Sequence, residues 1–128
     1  MKEQIKVIAF DADDTLWVNE PYFQATEQAF CGLLEAYMSH HALSQALFKV
    51  EMSNLHLYGY GIKGFVLCML ETAMTVTEGK INPEILAKII DLGKEMLEKP
   101  VELLPNVRDV LAQLSKKYRL VVATKGDL

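Results

Sequence analysis

The sequence predicts an α/β fold, a parallel sheet whose first two strands are separated by a long helical insert. Three observations carry that expectation. The run Ile5-Lys6-Val7-Ile8-Ala9-Phe10 is near-continuously apolar, too short for a helix, and ends abruptly in acids. That is the pattern of a strand buried on both faces of a parallel sheet. Tyr118-Arg119-Leu120-Val121-Val122-Ala123 repeats the pattern near the other end of the chain. Between the two, apolar residues recur at helical spacing in four stretches joined by short connections, which reads as a small bundle.

The elements follow in order. After the first strand and an acidic loop, Asn19-Glu20-Pro21 is a plausible helix start, since Pro is tolerated in a first turn. Phe23, Thr26, Phe30, Leu33, Leu34 and Tyr37 keep one face through about Ser39. A second periodic stretch runs from about Ala42 to Tyr58 and a third from about Ile62 to Thr77. Asn82-Pro83 opens a fourth that continues to about Lys99. Pro100 and Pro105 bracket a return segment. Asn106 is a capping candidate for a further helix carrying Val107, Val110, Leu111 and Leu114 to about Lys117. The second strand then ends in Thr124-Lys125-Gly126-Asp127.

The chemistry is concentrated where the first strand ends. Asp11, Asp13, Asp14 and the Thr15 hydroxyl fall within five positions. In open α/β sheets ligands bind beyond the carboxyl ends of the strands, so these acids lie where chemistry is expected. Asp11 and Asp13 are two apart, so in an extended segment their side chains can converge on one face. Their mutual repulsion calls for a positive partner. Carboxylates with no nearby His or Cys favour a hard, oxygen-loving ion, Mg²⁺ before Zn²⁺. The plain structural alternative is a turn followed by a helix N-cap.

Phe10-Asp11-Ala12-Asp13-Asp14-Thr15-Leu16 resembles the first signature, Asp-x-Asp-x-Thr, of the haloacid dehalogenase-like hydrolases, most of which are phosphatases. Thr124, at the end of the second strand, matches the second motif, a Ser or Thr that hydrogen-bonds a phosphoryl oxygen. The resemblance implies a Rossmann-like core, incomplete here, with an inserted helical cap of four helices. Residues 1–17 and 101–128 would belong to the core and 18–100 to the cap. The later motifs, a charge-balancing lysine and a further acidic pair, have no counterpart, so the chain is expected to be the N-terminal part of a longer enzyme. Asp11 would attack phosphorus to give an aspartyl-phosphate. Asp13 would protonate the leaving oxygen and then activate water. Backbone N–H groups after Asp11, that of Ala12 among them, would cradle phosphate oxygens. Mg²⁺ would be held by Asp11 and by Asp13, the latter through its backbone carbonyl. Members that cleave carbon–halogen bonds typically lack an acid at the Asp13 position, which favours phosphoryl transfer. Asp14 occupies a variable position and reads as a loop-capping or solvated group; Lys125 reads as a solvated or substrate-edge lysine.

The expected activity is therefore Mg²⁺-dependent hydrolysis of a small phosphorylated metabolite, with little activity from this chain alone. The alternative is a non-catalytic piece that binds phosphate or a partner chain. A receiver domain also combines a phosphorylated Asp, an acidic pair, a Thr and a Lys. Its paired acids sit on a different strand from its acceptor, a separation this sequence does not show. Missing strands would leave an apolar sheet edge that a second copy of the chain could cover.

Other features are weaker. Gly59-Tyr60-Gly61-Ile62-Lys63-Gly64 spells GxGxxG, but a dinucleotide site requires a preceding strand and Ser53 to Leu57 read as helix. A flexible connection between helices of the cap is the better reading. His40 and His41 do not share a helix face, and Met52, Met69, Met74 and Met96 fit packing.

The 128 residues suggest one domain, or one with part of another, and the 51% apolar content is ample for a core. A charged fraction of 23% suits a soluble protein. A net charge of −4 without a Lys/Arg cluster argues against nucleic acid. Cys31 and Cys68 lack CxxC spacing, Met1-Lys2-Glu3 runs straight into the first strand, and the run from Phe65 to Leu70 is too short to cross a bilayer. A cytoplasmic protein with reduced thiols and no membrane partner is expected.

Overall fold

The computed structural model describes residues 4–124. Their element order is β1 (Val7–Asp11), α1 (Glu20–Leu33), α2 (His40–Tyr58), α3 (Ile62–Val76), α4 (Pro83–Glu98), α5 (Val107–Leu114) and β2 (Arg119–Ala123). The contacts divide the chain into two compact units. One comprises the residues up to Pro21 together with Pro100–Thr124, and the other Tyr22–Lys99.

In the first unit β1 and β2 pair in parallel, from Val7 opposite Arg119 to Asp11 opposite Ala123. Parallel pairing puts both carboxyl ends at the same edge, so the residues after Asp11 and after Ala123 leave the sheet side by side. The expectation of strands covered on both faces is not met among the described residues. Val7 is 50% and Val122 54% exposed, because this sheet has two strands and α5 is the one helix of its unit lying between Pro100 and Thr124. Asn106 stands at the N-cap position of α5 as expected. Its side chain makes no capping hydrogen bond, and its backbone is left-handed, φ +67°; its carbonyl accepts from the Val110 N–H at 3.0 Å. The α5 helix ends at Leu114, three residues short of the periodicity; Lys117 and Tyr118 donate instead to the Leu114 carbonyl in a closing turn.

The second unit is built from the four predicted helices. Its core joins Phe30 and Leu34, Leu43 and Leu47 of α2, Phe65 and Met69 of α3, and Ile89 of α4. The helix starts follow local chemistry. Ser39 caps α2 by accepting from the Ala42 N–H, three residues before the predicted start. Asn82 caps α4 by accepting from the Glu84 N–H, with Pro83 at the first helical position. The α1 helix stops at Leu33, not near Ser39. Hydrogen-bonded turns over Leu34, Tyr37 and Met38 replace its last predicted turn, yet Leu34 stays wholly buried. Met69 and Met96 lie in the core, whereas Met52 and Met74 are nearly half exposed. Among the described residues no helix is long and apolar enough to cross a membrane.

Candidate active site

Asp11 is the last residue of β1 and is exposed there. The chain then folds sharply. Ala12 is buried, and its carbonyl accepts from the N–H groups of Thr15 (3.2 Å) and Leu16 (2.9 Å). Asp14 takes a left-handed conformation, φ +59°, a region that Asp and Asn tolerate better than most side chains. Its N–H donates to the Trp17 carbonyl at 2.8 Å. Residues 12–17 thus form a compact turn.

The turn is tied to the return segment. Trp17 pairs antiparallel with Leu103. Val18 N–H donates to the Glu102 carbonyl at 2.7 Å, and Leu104 N–H to the Leu16 carbonyl at 2.9 Å. A cavity is lined by Phe10, Thr15 and Leu16 with Val107, Val110 and Leu111 of α5, among others.

Each acid of the turn has a different partner. The Thr15 hydroxyl donates to Asp11 Oδ2 at 3.3 Å. The Trp17 indole Nε1–H donates to Asp13 Oδ1 at 3.1 Å, in a half-buried setting. Asp14 accepts from the backbone N–H groups of Asn19 and Glu20, each at 3.0 Å, so its carboxylate caps the start of α1, the loop-capping role expected of it. Thr124 follows the end of β2, whose last residue is paired with Asp11. The structure therefore brings Asp11, Ala12, Asp13 and Thr124 to one edge of the sheet. Lys125 lies outside the described residues. Among the described residues no group of three or more His, Cys, Asp or Glu side chains is gathered as a metal would require.

Sequence reasoning missed Trp17. Its only signal was a spacing of four from Asp13, which in a turn with a left-handed residue has no fixed geometric meaning. The glycine-rich stretch lies elsewhere, in the second unit. Gly59 ends α2 with φ +74° and Gly61 precedes α3. What comes before it is a helix, so the strand-turn-helix setting of a dinucleotide site is absent from this stretch. Gly64 lies inside α3, where a Cβ would meet the Tyr58 Cβ at 3.0 Å and carbonyl at 3.1 Å. A cavity there is lined by Glu51, Asn54, Tyr58, Tyr60 and Cys68, among others. Burial, and then the charges of Glu51 and Glu71, push the Cys68 thiol up to about 11.

Comparison with known proteins bears on the whole described fold. A family model described as haloacid dehalogenase-like hydrolase matches residues 5–128. A haloacid dehalogenase-like family hydrolase from Xanthomonas campestris is 40% identical, with a TM-score of 0.87 over 97% of this chain and 52% of that one. A predicted phosphoglycolate phosphatase from Haemophilus somnus shares the fold at 19% identity and a TM-score of 0.51, over 98% of this chain and 53% of its own. A 2-haloacid dehalogenase from Pseudomonas syringae does so at 19% identity and a TM-score of 0.53, over 98% and 57%. The chain thus spans about half the length of these solved structures. No curated protein matched.

Proposed function

Because the chain belongs to the haloacid dehalogenase-like hydrolases, we propose that it supplies the nucleophile loop of a phosphatase acting on a small phosphorylated metabolite. The observation that carries this reading is the pair of acids at the edge of the sheet: Asp11 ends β1 and Asp13 follows within the same turn. A carbon–halogen bond releases halide, which needs no proton, so an acid two residues after the nucleophile has a purpose chiefly when an oxygen leaves. In this reading the unit holding the sheet is the core and Tyr22–Lys99 is the cap.

Asp11 attacks phosphorus in line, displacing the alcohol oxygen and forming an acyl phosphate on its own carboxylate. Asp13 gives its proton to the departing oxygen, then takes one from the water that cleaves the acyl phosphate. The Ala12 N–H and the Thr124 hydroxyl hold phosphoryl oxygens. Two anions meet at this edge, and a bound Mg²⁺ would offset their charge. The donors suit such an ion, because the Asp11 carboxylate and the Asp13 carbonyl are hard oxygens with no His or Cys in the turn. Those two residues would hold it. The protein is read as cytoplasmic, and a second copy is the proposed cover for the exposed sheet.

The test uses the protein that carries this chain. Asp11→Asn should abolish release of phosphate from an aryl phosphate, because an amide is a poor nucleophile. Asp13→Asn should slow alkyl phosphates, with their poor leaving groups, far more than aryl phosphates. Wild-type turnover by Asp11→Asn would refute the reading. A 2-haloacid turned over faster than any phosphate ester would replace it with dehalogenation.

A further inference from the structure

We infer that Trp17 is a positioning residue for proton transfer, fixing which oxygen of Asp13 faces the leaving group; the inference rests on the phosphatase reading above. The indole Nε1–H meets Asp13 Oδ1 at 3.1 Å. An indole nitrogen donates and cannot accept. Oδ1 is therefore engaged as an acceptor, and an acid proton has its place on Oδ2. A carboxylic acid that must first deliver a proton and later recover one gains from a fixed orientation, because each transfer requires hydrogen-bond reach.

The ring can do this because its backbone is held from several sides. Trp17 pairs with Leu103, and the flanking hydrogen bonds from Val18 to Glu102 and from Leu104 to Leu16 are 2.7 and 2.9 Å. Its carbonyl accepts from Asp14 N–H at 2.8 Å, closing the turn that contains Asp13. Donor and acceptor are thus parts of one hydrogen-bonded unit. In the proton step, the Oδ2–H bond breaks as the new O–H bond of the alcohol forms, and Asp13 is left as a carboxylate. Its Oδ1 still accepts from Trp17. Water returns a proton to Oδ2 when it attacks the acyl phosphate, so the cycle closes without a change at the indole.

The experiment compares Trp17→Phe with Asp13→Asn in the protein carrying this chain, on an alkyl and an aryl phosphate. Trp17→Phe should lower kcat for the alkyl ester by about tenfold, part of the roughly 100-fold or greater effect of a general acid. It should change the aryl ester less than about twofold on the same scale. A purely structural role would lower both together. Benzothienylalanine at position 17 exchanges the N–H for sulfur at the same ring size, and should reproduce the selectivity if Trp17→Phe fails to fold. Equal losses on both esters, or none, in an analogue that folds would overturn the inference wherever Asp13→Asn is itself selective. An unselective Asp13→Asn would instead refute the proton-transfer role of Asp13. The hydrogen bond is judged separately by NMR: the Trp17 indole N–H resonance should move, and exchange faster with solvent, in Asp13→Ala. An unmoved resonance would overturn the contact.

Discussion

Glu20 donates its backbone N–H to both carboxylate oxygens of Asp14, at 3.0 Å to each. Asn19 N–H reaches the same Oδ1 at 3.0 Å. One side chain thus satisfies donors at the opening of α1, which would otherwise lack intrahelical partners, and places a negative charge where the helix dipole favours it.

Replacing Asp14 should therefore destabilise the fold through two separable causes. Loss of the cap costs about 1 kcal/mol. A side chain other than Gly, Asn or Asp at φ +59° costs roughly another 1 kcal/mol. Asp14→Ala should incur both, Asp14→Gly mainly the first, and Asp14→Asn least. Urea unfolding would rank the three. An Asp14→Ala variant as stable as wild type would mean that the cap contributes nothing in solution.

Gly93 of α4 faces Val66 of α3 so closely that an added Cβ would lie 2.3 Å from Val66 Cγ2. Alanine gains about 1 kcal/mol of helix propensity over glycine, whereas overpacking costs about 1–3 kcal/mol. Val66 is β-branched and has few rotamers into which to retreat, so the clash should win. Gly93→Ala is expected to lower the Tm, and Val66→Ala added to it should recover part of the loss. A raised Tm in the single variant would show that the helices separate readily.

The Cys68 thiol is pushed up from 9.0 to about 11, by burial first and then by the charges of Glu51 and Glu71, while a hydrogen bond with Asn54 works the other way. The folded state therefore keeps a proton that the unfolded chain releases. The associated stability is present below about pH 9 and is lost as pH rises toward 11. Tyr58 shifts the same way, through burial and then Glu71, and adds to the loss at the upper end. The Tm should fall over this window, and Cys68→Ala, despite a lower starting Tm, should show a shallower slope. Parallel slopes for the two proteins would rule out Cys68 as the source. The folded protein should also alkylate at Cys68 more slowly than an exposed cysteine at pH 8, because the thiolate is the nucleophile.

The sequence alone determined the elements and their order, because strands and helices leave periodicities that neighbouring residues report. The Asn82-Pro83 start of α4 and the acids after β1 were legible for that reason. The capping role of Asp14 was legible in kind, as one of the two readings open to the variable position of the signature that this loop resembles. The ends of α1 and α5 were not, because apolar residues beyond a helix can stay buried in a turn, as Leu34 does. Only the tertiary structure decided the rest. The parallel register that sets Asp11 opposite Ala123 joins residues more than a hundred positions apart, and no local pattern encodes it. The Trp17–Asp13 bond depends on a left-handed residue between them and on the pairing of Trp17 with Leu103. The exposure of β1 and β2 follows from what covers the sheet, which an apolar run cannot state about itself.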